Sequence, residues 1–437
     1  MDGKKTKISD LPSNIIECIL GCLPIRDAVA TSVLCKDWRH KCTRIPNLVF
    51  DNEFVINLIR FQDKRPLGIP SASMLRHFRT NEYSNIIGKI MLRHIGPIHK
   101  FVLYIPPFCN DLHLDLLSWM QFISQKDLKE LTIQARSAQI KLPSYIFNCR
   151  ELQSFEIHVR GLDLHPPLDF VGFCNLRRLD LSGLLNGTQI SNLISKCPML
   201  ERLSINRVAD GHTLVIDATK LLSLRIGCSM GPFLKLRNGH SLVAILLIFG
   251  PLGVTKFCEL FDIFGSLPNV RDVTLCSLRT INDMPRDVPT RIPTLHNHRM
   301  LTLMDTDISS PQCICFTLCI FKSSPNLQKR NIRIHPSAYI LEEAALHFLD
   351  TQIRQPQTLN SLVTVKIKGL LGSRVEIMFI KLILSSTPVL ETMYLTGNIV
   401  KETEFTFMSE LLKCKRRSLE AQVMYSRHPG DSSIFDF

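Results

Sequence analysis

The chain has 437 residues, 45% hydrophobic and 21% charged, a balance that belongs to core-forming proteins and excludes intrinsic disorder. Its 52 Lys and Arg against 39 Asp and Glu leave +13, a diffuse surplus that favours acidic partners and, with no basic stretch interleaved by aromatics, does not point to a nucleic-acid groove. The longest uncharged apolar run, Ser241 to Val254, is too short to span a membrane, and Met1 to Lys7 lead into no apolar signal segment, so the fifteen Cys read as reduced thiols of a protein of the nucleus and/or cytoplasm.

Residues 8–40 predict two helices. Pro12 suits a first helical turn, and Ile15, Ile16, Ile19, Leu20 and Leu23 form an apolar face until Pro24 ends the helix. The second helix has Asp27 in its first turn and Val29, Ser32, Val33 and Lys36 on one side. So short a segment cannot supply its own core. Its apolar surplus must be buried against the rest of the chain or against another protein's helices, and physics alone leaves the two equal. Residues 51–97 read as a helical connector broken at Pro66-Leu67-Gly68-Ile69-Pro70.

From residue 98 a Leu-x-x-Leu-x-Leu pattern recurs. After a weaker copy at Ile98/Phe101/Leu103 it stands at Leu128/Leu131/Ile133, Leu152/Phe155/Ile157, Leu176/Leu179/Leu181 and Leu200/Leu203/Ile205. It continues at Leu221, Leu242 and Val270, with later copies at Leu327, Leu362 and Leu390. Successive starts from Leu128 are 24, 24, 24, 21, 21 and 28 residues apart, the period of a solenoid. Pro198, Pro268, Pro325 and Pro388 each precede a copy by two residues. Ile194, Phe264, Phe321 and Leu384 lie four residues upstream of them, with further apolar positions at helical offsets. The unit is helix, proline stop, short strand, and it can bury its apolar faces only by stacking on its neighbours. The expected fold is α/β, with N-terminal helices followed by a curved repeat solenoid whose parallel strands line the concave face.

Some positions depart from that pattern. An Asn or Cys after Leu-x-Leu-x-x is missing, so no asparagine ladder is expected. Arg330 fills a leucine slot, so its copy is expected to fray or open to solvent. Pro285, Pro289 and Pro293 mark a loop interrupting the repeats, and His296 and His298 are read as solvated parts of it. Cys313, Cys315 and Cys319 fall on one helix and read as core, as do Cys149, Cys174 and Cys197; no metal site is expected. Lys413-Cys414-Lys415-Arg416-Arg417 reads as a solvated edge, and no nucleotide, hydrolase or metalloprotease motif occurs.

Leu11-Pro12, Ile16, Ile19-Leu20, Leu23-Pro24, Ala28-Val29, Ser32, Val33 and Trp38-Arg39 resemble an F-box. The repeats behind it resemble the substrate-binding leucine-rich repeats of plant F-box proteins. The stretch from Leu362 through Phe379-Ile380-Lys381-Leu382 to Pro388-Val389-Leu390-Glu391 is similar to their C-terminal FBD segment. The resemblance implies an F-box at 1–50, a connector at 51–97, a repeat array at 98–294 and continuing repeats with an FBD-like cap at 295–437. It implies a non-catalytic substrate-recognition subunit of an SCF-type ubiquitin ligase, without cofactor. Leu11, Pro12, Ile16, Ile19, Leu20, Leu23, Pro24, Val29, Ser32, Val33, Trp38 and Arg39 would bind a Skp-type adaptor, and through it cullin. Positions between the strand leucines face outward, so Gln134, His158, Ser182, Asn206 and Arg225 are the candidate contacts to a protein substrate. Two other classes remain open at this point, a repeat protein that sequesters a partner and an F-box receptor for a small molecule.

Overall fold

The computed structural model describes residues 11–33, 38, 41–63, 80–107, 109, 113–208, 213–228, 234–249, 255–256, 260, 263–277, 281–282, 294–335, 342–354 and 358–427. They form two compact units, Met1–Ala209 and Asp210–Phe437.

In the first unit, helices α1 (Ser13–Gly21) and α2 (Ile25–Ala30) precede strand β1 (Asn47–Phe50). Helices α3 (Asn52–Asp63) and α4 (Thr80–Arg93) then lead to β2 (Lys100–Tyr104) and α5 (His113–Ile123). Strands β3 (Glu130–Lys141), β4 (Ser154–Asp163) and β5 (Arg178–Leu185), helix α6 (Gly187–Ser195) and β6 (Arg202–Val208) complete it. The six strands pair in parallel in chain order, and the leucine positions stand side by side: Leu131, Phe155, Leu179 and Leu203 form one fully buried row. The sheet begins earlier than the sequence pattern places it. Ile45, Leu48 and Phe50 are a first copy of the motif, all buried, so α3 and α4 lie between two strands of the sheet.

The second unit repeats the scheme. Its strands are β7 (Leu214–Asp217), β8 (Ser223–Cys228), β9 (Leu234–Arg237), β10 (Ala244–Phe249), β11 (Thr255–Lys256) and β12 (Asp272–Cys276). β13 (Ile281–Asn282), β14 (Met300–Thr306), β15 (Lys329–Ile334), β16 (Thr364–Leu370), β17 (Thr392–Gly397) and β18 (Gln422–Arg427) follow. Strands β8, β10, β12 and β14 to β18 pair in parallel in that order, while β7 pairs β9 and β11 pairs β13. Helices α7 (Pro311–Ser323), α8 (Glu342–Arg354), α9 (Arg374–Ser386) and α10 (Lys401–Leu412) cross between the later strands. α9 starts on a capping box in which fully buried Glu376 accepts the amide protons of Leu371, Gly372 and Ser373. Ile194, Phe264, Phe321 and Leu384 are all buried, as the proline register requires.

One fastening recurs in both units. At many of the strands the amide just before the strand and the strand's first amide share a single carbonyl of the preceding copy: Gln153 and Ser154 on Lys129, Arg177 and Arg178 on Gln153, Arg271 and Asp272 on Val243, Gln328 and Lys329 on Arg299. A side-chain ladder lies alongside. Asn175, Asn269, Asn297 and Asn326 each stand one residue before a copy and donate to a carbonyl two residues before the previous copy: those of Arg150, His240, Pro268 and His296. The asparagine ladder absent from its usual position is thus supplied at the turn into the strand, where the side chain reaches back one repeat.

Three local expectations are corrected. His298 is not solvated: His298, Leu301 and Leu303 are a copy of the motif in register with Val270, Val273 and Leu275, and the imidazole fills the first leucine slot. It lies 3.3 Å from the Ser324 hydroxyl, with its ring edge-on to Phe264. Arg330 does not open its copy. It is 2% exposed, paired between Leu301 and Val365, and its guanidinium lies 3.4 Å above the Phe321 ring. The aromatic face replaces the missing counter-charge in part, yet Nε and Nη1 have no hydrogen-bond partner. Cys174 is exposed, whereas Cys149, Cys197, Cys313, Cys315 and Cys319 are buried.

Burial holds the His298 imidazole down at about 4, from an ordinary 6.5. The folded chain keeps it neutral while the unfolded chain protonates it, so stability is full above pH 6.5 and falls as the pH drops toward 4. The loss expected from this group is about 3 kcal/mol. Urea unfolding between pH 7 and 4 should show a steeper acid loss for the wild type than for His298→Leu; identical pH profiles would contradict the assignment.

Candidate functional site

The helix pair α1–α2 has two apolar faces, and the structure separates them. Ile16 and Leu20, one helical turn apart, pack with Ala28, Trp38 and Ile45 into a buried cluster that Leu11 and Cys42 border. Ile45 is also the first apolar position of the first repeat, so this cluster is continuous with the sheet. The same residue is held from behind: the buried His94 ring nitrogen Nε2 meets the Ile45 carbonyl at 2.9 Å, and the Ile95 amide donates to Thr43.

A second row, rotated around the same helices, faces outward. Ile15, Ile19, Leu23 and Val29 are each about two-fifths exposed and Val33 is 84% exposed. Pro12 and Pro24 lie at the N-terminal ends of α1 and α2, exposed, and fix where each helix starts. Of the residues expected to dock an adaptor, Ile19, Leu23, Val29, Val33 and the two prolines are thus presented. Ile16, Leu20 and Trp38 instead hold the pair together, because their side chains are consumed by its own core. The side chain of Ser32 and the whole of Arg39 lie outside the described residues. Ile15, outside the expected docking set, also belongs to the outward row; its i, i+4 relation to Ile19, distinct from the Ile16–Leu20 row, is the signal in the sequence.

A cleft of about 550 Å³ runs between α1 and the segment before β2, bordered by Glu17, Cys18, Cys22, Arg44 and His99. Among the described residues no cluster of three His, Cys, Asp or Glu could hold a metal ion. The buried thiols are inert: burial pushes Cys149 and Cys197 up to about 12 and Cys313 to about 11, and a hydrogen bond with Cys315, together with burial, raises Cys319. No described helix is long and apolar enough to cross a membrane.

The outward positions of the strands make a second surface. Gln134, His158, Ser182 and Asn206 stand on successive rungs, each beside the next. Arg225 belongs to the second unit, where it is half-buried beside Leu246. The strand face of the first unit mixes both signs of charge: Lys100 pairs with Glu130 at 3.0 Å and Arg178 with Glu156 at 3.1 Å, and Arg160, Asp180 and Arg202 stand at further outward positions. Such exposed pairs contribute little stability.

A family model of the F-box domain matches residues 8–50. A model of the LRR repeats of FBD-associated F-box protein At5g56370 matches residues 116–256. The chain is similar to F-box/FBD/LRR-repeat protein At1g13570 of Arabidopsis thaliana, 31% identical over 430 residues that cover 96% of this chain and 98% of that protein. It is also similar to two other Arabidopsis thaliana proteins. F-box/FBD/LRR-repeat protein At4g00160 is 29% identical over 51% of this chain and 45% of its own length. F-box/LRR-repeat protein At4g14103 is 25% identical over 48% and 51%.

The two faces of α1 give opposite expectations. Ile16→Ala should cost about 2–5 kcal/mol of local stability, since it opens a cavity in a packed cluster, whereas Ile19→Ala should cost under about 1 kcal/mol. Hydrogen exchange of the α1 amides in the full chain measures both; equal losses would contradict the two-face arrangement.

Proposed function

Since the chain belongs to the F-box/FBD/LRR-repeat family of plant proteins, we propose that it is the substrate-recognition subunit of an SCF-type, cullin–RING ubiquitin ligase. The F-box match supports docking to a Skp-type adaptor, which brings cullin, and the repeats support recognition of a protein substrate. In this reading the chain is a non-catalytic adaptor subunit. It needs no cofactor and works in the nucleus and/or cytoplasm.

The observation that carries the proposal is the outward row on α1 and α2. A helix pair that has already filled its own core still exposes five large aliphatic side chains, Ile15, Ile19, Leu23, Val29 and Val33. A surface of this kind is stable in water only at a cost, and it fits burial against a partner's helices. Each anchor buried there would contribute roughly 1.5–3 kcal/mol at most. Leu11, Ile16, Leu20 and Trp38 then act indirectly, by fixing the angle at which the anchors are presented. Ser32 and Arg39 complete the proposed docking set, with Pro12 and Pro24 setting the helix starts. The substrate would contact outward strand positions, Gln134, His158, Ser182 and Asn206 of the first unit, a mixed polar surface suited to a protein read by scattered hydrogen bonds, with Arg225 a separate candidate contact of the second unit.

Co-expression with a plant Skp-type adaptor tests the docking half. The wild type should co-purify with it, and Ile19→Asp with Val33→Asp should abolish co-purification while the far-ultraviolet circular dichroism stays unchanged. No complex with the wild type, or an undiminished one with the double variant, would overturn the reading.

A further inference from the structure

The charge on the second unit's strand face is arranged differently from that on the first. Along β14 to β18 the buried side chains occupy one parity, Leu301, Arg330, Val365, Met393, and the alternate positions point outward. The outward positions on these five strands hold one carboxylate, Asp305 beside the register shift of β14, and four basic side chains: Lys329 and Arg333 on β15, Lys366 and Lys368 on β16. Among the described residues none of the four is in an ion pair. The nearest strand carboxylate, Asp305 at the end of β14, is already engaged by His335 at 3.5 Å and by the Ser277 hydroxyl.

The placement carries a cost that packing does not repay. Arg333 and Lys368 are register partners on adjacent strands, so two like charges stand directly opposite each other, which destabilises a sheet. Lys366 stands opposite Tyr394, its ammonium 5.3 Å from the ring centre, so the aromatic is covered on that side by a cation. Thr364, Thr392 and Thr396 surround the basic group with hydroxyls.

We propose that this face, centred on Lys366, Lys368 and Arg333, binds an acidic, Asp- or Glu-rich segment of a protein. The cations are spaced by the strand repeat, two residues apart along β16 and one rung apart between β15 and β16, which matches carboxylates on an extended peptide laid over the strands. A nucleic acid is the poorer fit, because bases need open aromatic platforms and the described face offers one tyrosine with a lysine already against it. The inference rests on the ligase reading for its purpose, since the acidic segment would belong to the substrate, but not for its chemistry. It moves the charge-reading part of the substrate surface from the mixed-charge strands of the first unit to the second.

The test is fluorescence anisotropy on the full-length chain with three labelled probes: a glutamate-rich peptide, its glutamine counterpart, and a single-stranded RNA oligonucleotide. The glutamate peptide should bind, weaken with added salt, and lose at least about tenfold in affinity on Lys366→Glu with Lys368→Glu. Arg374→Glu with Lys401→Glu makes the same change in net charge on helix starts rather than on strand positions, and should leave binding nearly unchanged. Equal loss in both variants, equal binding of the glutamine peptide, or tighter binding of the RNA at the same lysines would each overturn the proposal. Adaptor co-purification, measured on the same samples, separates the two claims. Peptide capture without adaptor binding would remove the ligase reading and leave this face standing; adaptor binding without peptide capture would do the reverse.

Discussion

Through much of both units two adjacent amides of a repeat share one carbonyl oxygen of the repeat before it, and the rest of either unit is arranged around that fastening. It sets the register, and register decides which side chains meet. Once Arg177 and Arg178 are tied to Gln153, Leu179 must stand beside Phe155 and Leu181 beside Ile157. A slip of one residue would turn every leucine outward. The side-chain ladder of Asn175, Asn269, Asn297 and Asn326 reinforces the same register from the turn. Slots fixed so firmly can be filled by residues that propensity would not choose. His298 and Arg330 stand in leucine slots of consecutive copies, and each is accommodated by an aromatic ring of the crossing helices, Phe264 and Phe321.

The same logic explains the N-terminal helices. Their buried row ends on Ile45, which is at once the last residue of the helical cluster and the first apolar position of the sheet. The helix pair is therefore an extension of the repeat core. Its segment is too short to be stable alone, and the sheet supplies what it lacks. That support frees the second row, Ile15, Ile19, Leu23, Val29 and Val33, from any structural duty. A surface released in this way is available for a partner, and the physics of the fold leads directly to the proposed chemistry of docking.

Much of this was legible in the amino-acid sequence, because a solenoid repeats its signal. The Leu-x-x-Leu-x-Leu spacing and the four prolines carry the helix–strand alternation, and the two-proline helical segment carries the F-box resemblance. What the sequence hides has one cause: position, not residue type, defines a slot of the repeat. Ile45/Leu48/Phe50 was hidden at the end of the helical segment. The copy at residues 298–303 was hidden because a histidine stands in its first slot. The asparagine ladder lies before the strand, not after it. The Ser373-Glu376 capping box was readable as well, since Ser-x-x-Glu before an apolar run is a helix start in its own right. Periodicity shows two rows on α1 but not which of them holds and which presents. Ile15-Ile16 and Ile19-Leu20 are equally apolar, and only the position of Ile45 decides which row faces inward.

The central claim is that the outward row of α1 and α2 is a docking surface while the strands are left free for a second ligand. Hydrogen–deuterium exchange of the full-length chain, alone and with a plant Skp-type adaptor, tests it most directly. Slowed exchange confined to residues 13–33, with the amides of β3 to β6 and β14 to β18 unchanged, is the result the account predicts. Protection spread over the strand segments, or none at residues 13–33, would contradict it.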